Sequence, residues 1–194
     1  MTTVDPNRLI LTGENPFIRF SETDDGPLVT EASLWRIILS PAGAGHVLYL
    51  KSEVVGDSWR IYADNEPLAR WLQQTAQGNI NPASGDAAVP VTAAAFRSSG
   101  TVQGGWTEHV EAAGETLALT WAELGEPLLI HTRPHQEPGR PYGVCTVLIP
   151  AGHATLTRNG TAARGAPRPR DHEGRPFSTC ALAFSESWTE ERQP

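Results

Sequence analysis

Glycine (18) and proline (16) interrupt this 194-residue chain so often that no apolar run has room to become a long helix. Between the interruptions lie short runs rich in β-branched and aromatic residues, the pattern of β-strands. Leu34 to Leu39 is one such run. His46 to Val55 and Trp59 to Ala63 form another pair, separated by the turn signal Gly56-Asp57-Ser58, and read together as a hairpin. Residues 65–76 differ. Asn65 can cap, Pro67 suits an early helical position, and Leu68, Trp71 and Leu72 recur at helical spacing before Gly78. Strand patterns return at 92–98, 101–111, 116–124, 128–133, 142–150, 154–158 and 179–188. The expected fold is mainly β: a single antiparallel β-sandwich or barrel of about ten strands with one short helix, 65–76. One domain over 1–194 is expected, with a mobile loop at 162–176 and a frayed tail at 189–194.

Charge narrows the function. The formal net charge of −7 repels a phosphate backbone, which argues against a nucleic-acid partner. No stretch approaches the 18 apolar residues of a membrane span. The first residues, Met1 to Pro6, show no basic stretch followed by an apolar one, so a cytoplasmic location is expected. Lys51 is the sole lysine among 15 basic residues, which points to a GC-rich genome, expected to be bacterial. Cys145 and Cys180 each lie in an apolar run and read as small core residues. Asn159-Gly160 reads as a hairpin turn.

Side chains alternate across a strand, so each strand yields two face lists. In 179–188 one list is Cys180, Leu182, Phe184, Glu186 and Trp188, which places Glu186 on the core side. In 101–111 Glu108 shares a face with Trp106 and Val110. In 116–124 Glu123 follows Leu117, Leu119 and Trp121. Arg36 shares a face with Leu34 and Ile38 on a strand whose other face is equally apolar, so it requires a carboxylate partner. His46 shares a face with Leu48 and Leu50. A carboxyl facing a core is costly unless paired or neutral, and burial is how a protein raises its pKa into the working range. The leading expectation is a small-molecule-binding barrel or sandwich. Its pocket is walled by Trp106, Trp121, Phe184 and Trp188, with His46 among the ligand contacts. Glu108, Glu186 and Arg36 form the catalytic set for cofactor-free acid–base chemistry of lyase, isomerase or cyclase type.

Two other readings compete. His109-x-Glu111 and His131-x3-His135-x-Glu137 supply residue types that suit a divalent metal such as Zn, Fe or Mn. On one straight strand an i, i+4 pair stands roughly 13 Å apart, too far for one ion unless the chain turns, as Pro134 allows. In residue types alone this set resembles the cupins, which carry metal ligands on a jelly roll. Their His-x-His followed by Glu is absent. The third reading is a non-catalytic interaction subunit with exposed tryptophans and a homodimer as the contact to test. No nucleophile elbow, Cys-x-x-Cys, phosphate loop or dinucleotide fingerprint occurs. An arginine between glycine and proline recurs at 139–141 and 174–176, positions expected to be solvated loops.

Overall fold

A computed structural model of the chain describes residues 7–136 and 138–191. Glu137, the chain start through residue 6 and the end of the expected frayed tail lie outside the described residues. Fourteen strands form: β1 (Asn7–Glu14), β2 (Phe17–Ser21), β3 (Leu28–Leu39), β4 (Gly45–Ser52), β5 (Arg60–Ala63), β6 (Val91–Thr101), β7 (Gly105–Ala112), β8 (Glu115–Leu124), β9 (Leu128–Thr132), β10 (Gly143–Arg158), β11 (Thr161–Ala162), β12 (Pro169–His172), β13 (Arg175–Ser178) and β14 (Ala181–Glu191). Helices α1 (Glu66–Gln74) and α2 (Ala76–Ile80) lie between β5 and β6.

The strands close a nine-stranded mixed barrel, with extra strands outside it. β1 and β2 act as two segments of one course, held between β14 and β3 on either side of Asn15-Pro16. The wall then runs through β3 to β8 and β10 and returns to β14. Pairing is antiparallel except between β5 and β6. A parallel pair needs a crossover, and α1 and α2 supply it. The Asn65 side chain accepts the Leu68 N–H (3.2 Å) and starts α1 as its sequence predicts. A second short turn, α2, continues past the expected helix end and through Gly78. Among the described residues no helix is long and apolar enough to cross a membrane.

Two apolar clusters result. Inside the barrel lie Phe20, Leu34, Leu48, Leu50, Tyr62, Leu119, Trp121 and Leu182. Outside it, Trp35, Val47, Tyr49 and Ile61 pack under Leu68 and Leu72 of α1, joined by Leu11 and Trp188. β3 at Leu34-Trp35 and β4 at Val47 to Leu50 therefore bury both faces, and these stretches are apolar without alternation.

Several elements differ from expectation. β1 and β2 are additions, since the expected strands begin only at Leu34. The expected strands 142–150 and 154–158 are one strand, β10, that changes partner near Pro150. Its first half pairs with β9 and β14, its second with β8. Asn159 and Gly160 make the predicted turn, both at positive φ. Residues 162–176, expected as a mobile loop, carry most of the β12–β13 hairpin. Thr189 to Glu191, expected to fray, belong to β14 and pair with β1 and β10. Cys180 is buried as expected, but Cys145 is exposed. Its ladder neighbours, His131 and Ser187, are polar and leave that face open.

One irregularity decides where the site residues point. Cys145 lies opposite Ser187 and Val147 opposite Phe184, so β14 carries an extra residue there. Ser185, at φ +58°, absorbs it as a bulge. The side-chain alternation slips by one. Phe184 points into the barrel cluster, whereas Trp188 joins the outer one. The single face list of β14 is thus split across the barrel wall.

Candidate functional site

Five of the residues singled out from the sequence converge at one end of the barrel. Arg36 (β3), His46 (β4), Trp106 and Glu108 (β7) and Phe184 (β14) meet Glu14 of β1 there. Glu14 reaches this position because Gly13 lets β1 press against β3. A Cβ at Gly13 would lie 2.1 Å from the Arg36 carbonyl oxygen. Arg36 pairs with Glu14 (Nη1 to Oε2, 2.9 Å) and donates to Glu108 Oε1. The Trp106 indole N–H donates to the same oxygen (2.7 Å), and the guanidinium carbon stands 5.8 Å from the indole centroid. Phe184 meets Trp106 edge-on, with centroids 5.6 Å apart. Glu108 is only 1% exposed. Burial raises its carboxyl above the usual range, against the pull of the Trp106 N–H and Arg36. The carboxylate partner that Arg36 requires is therefore a pair, Glu108 and Glu14.

His46 adds an oriented imidazole. Its Nδ1 lies 2.7 Å from Asp64 Oδ2, and its backbone N–H donates to Asp64 Oδ1 (2.6 Å). The ring stacks on Phe96 at 5.2 Å. Sequence reading missed Asp64. The hairpin register could have found it, because Val47 pairs with Ala63 and the next residues along are His46 and Asp64.

Glu186 and Trp188 are not in this group. They face a second space, a cavity of about 370 Å³ against the outside of the barrel. Asn15, Phe17, Tyr142, Val144 and Thr146 help to line it, from β2, β10 and the segments before them. Glu186 is 5% exposed, and Oε1 accepts the Trp188 indole N–H at 2.7 Å. Trp188 in turn packs against Trp35 (6.1 Å) and Tyr142 (5.7 Å). Burial drives the Glu186 carboxyl up to about 7, against the pull of Trp188 and the neighbouring Thr146 hydroxyl. Thr146 Oγ1 is itself buried and makes no hydrogen bond of ordinary geometry among the described residues.

The remaining candidates are placed elsewhere. Trp121 is fully buried in the barrel, where its N–H donates to the Phe17 carbonyl (2.9 Å); it is a core residue. None of the six tryptophans is exposed, so a tryptophan-bearing partner surface is not seen. Glu123 is exposed, at φ +53°. His109 contacts Ser99 (3.1 Å) on β7, His131 sits exposed on β9, and His135 lies in a turn at φ +57°. Among the described residues no group of three or more His, Cys, Asp or Glu is arranged to hold a metal ion, so the expected His cluster does not assemble.

A larger cavity, about 620 Å³, lies beneath the β12–β13 hairpin between Leu128, Pro150 and Phe177. Its one buried polar side chain, Ser178, is already engaged by the Cys180 N–H (3.1 Å). Glu123, Glu126 and Arg175 at its edge are open to solvent, and Arg168 donates to the Ser21 carbonyl (2.8 Å). It offers volume without a poised polar group, whereas the Glu186 cavity offers both. No family model matches the chain, and comparison with curated proteins and with solved structures gave no match.

Proposed function

We propose that the protein binds a small organic molecule in the cavity beside Glu186 and exchanges a proton with it through that carboxyl. One observation carries the reading. A buried carboxyl, unpaired with any cation among the described residues, lines an aromatic-walled space large enough for a small ligand. A carboxyl half-ionised near neutral pH is suited to general acid–base work. The chemistry that fits is proton transfer of lyase, isomerase or cyclase type, carried by the protein's own side chains.

A second reading places the ligand at the barrel end. The Asp64-oriented imidazole of His46 favours it, with Arg36 to steady developing negative charge. A thermal-shift screen of a small-molecule library separates the two. Hits that stabilise the wild type should lose their effect in Glu186→Gln and in Val144→Trp, which fills the cavity, and keep it in His46→Gln. The reverse pattern overturns the assignment to Glu186.

A further inference from the structure

We propose that the ligand of the Glu186 cavity is a small organic cation, an ammonium group on an aromatic or alicyclic body, with Glu186 as its counter-ion. The inference rests on the reading above and adds the chemical class. It starts from the protein's own treatment of its other buried acid. Glu108 is met by a guanidinium that also lies over a tryptophan ring. Glu186 has the tryptophan, with the same 2.7 Å indole hydrogen bond, but its ionised form has no cation among the described residues. The missing component is the cation, and the cavity lies where it would sit.

Three further features fit an ammonium. Trp188, Tyr142, Phe17 and Phe177 supply the aromatic faces that attract organic cations. Thr146 Oγ1 is a buried acceptor without a donor, beside the carboxyl, and an ammonium carries several N–H donors. The net charge of −7 raises the local concentration of cations at the surface. Arg19 and Arg140 also line the cavity, but both side chains are exposed. Arg19 lies over the Phe17 ring, and Glu31 beside it accepts from Asn81. The arginines mark the outer rim, so the ligand's charge goes to the deep end and its neutral part faces outward.

Other ionisable groups on the surrounding elements include Glu14 on β1, held by Arg36, Glu190 on β14, paired with Arg8 of β1 and acting on Tyr142 ahead of β10, and Cys145 and His131 on the opposite face of β10 and β9. None of them is among the groups that set the protonation of Glu186. The pH dependence of binding therefore reports on that carboxyl.

The test compares phenethylamine, 2-phenylethanol and phenylacetate by isothermal titration to the full chain. Phenethylamine should bind roughly 10- to 100-fold more tightly than its neutral isostere, the range of a charge-assisted contact. Its affinity should rise about tenfold per pH unit below pH 7 and level off above it, because the carboxyl must give up its proton first. Glu186→Gln should abolish the preference and the pH slope. Thr146→Val, a change of one buried hydroxyl, should weaken the amine several-fold while leaving the slope. Equal or tighter binding of 2-phenylethanol or phenylacetate overturns the cation. If Val144→Trp blocks that binding, the cavity stands as the site and only the ligand class fails. Failure of all three compounds at millimolar concentration overturns both.

Discussion

Glu108 and Glu186 are the same device built twice, on opposite sides of one wall. Each is a buried carboxyl two residues from a tryptophan, in Trp106-x-Glu108 and Glu186-x-Trp188. Each accepts that tryptophan's indole N–H at 2.7 Å. The difference is Arg36. At the barrel end it joins Glu108 and Glu14 into a paired cluster. In the outer cavity the carboxyl has only neutral donors, and burial pushes it to about 7. Burial raises both carboxyls; at Glu108 a guanidinium pulls against it, and at Glu186 only neutral donors do. Pairing with a cation turns such a group into a cross-tie of the fold, and leaving it unpaired makes it a recognition element.

The largest test of this contrast removes the cross-tie. Arg36→Met leaves the buried Glu108 and the half-buried Glu14 without a cation and should cost about 3–5 kcal/mol in urea unfolding at pH 7. Part of that loss should return on acidification, as the carboxyls take up protons. A loss below about 1 kcal/mol would show that the cluster is solvated and contributes little.

The next effect belongs to Glu186. Its carboxyl rises from an ordinary 4.5 to about 7 in the fold. The native state thus holds a proton that the unfolded chain releases between those values, so stability falls as pH rises through that window. The penalty is absent below pH 4.5, complete above pH 7, and on the order of 3 kcal/mol. Glu186→Gln should remove this share of the pH dependence and be more stable than wild type at pH 8. Denaturant melts of both proteins from pH 4.5 to 8 check it, and parallel curves would break the comparison.

The smallest effect tests the partly exposed pair at the barrel end. Asp64→Asn should cost about 1 kcal/mol or less, because solvent screens the contact with His46. A larger cost, measured with unchanged ligand binding, would give His46 a structural part in the Arg36 cluster.

The mainly β class was legible because turn residues divide the chain into strand lengths, while the choice of barrel over sandwich was not, and Leu34 to Leu39 read apolar on both faces. Arg36 could be read as needing an acid for the same reason, and Glu108 lies on the core face that alternation assigned it. β14 misled because its bulge falls on Ser185, and serine carries no signal for a positive φ. Strict alternation then put Phe184, Glu186 and Trp188 on one face, when the chain turns the last two outward. Glu14 was hidden by the turn-like Glu14-Asn15-Pro16. No local pattern says that β1 and β2 form one course against β3. Cys145 shows the same limit, since its exposure depends on which residues its two neighbouring strands place beside it.

The pairing of β1 with β14 also fixes when the cavity can exist. Gly13 lies opposite Glu186, and Arg8 pairs with Glu190, across nearly the whole chain. Contacts so remote in sequence form slowly, since a long loop must close before they repay its entropy. Asn15 and Phe17 meet Glu186 and Trp188 only across that closure, so the cavity exists only in the closed barrel. A compound that binds there would recognise only closed barrels, which makes it a reporter of finished folding as well as a ligand.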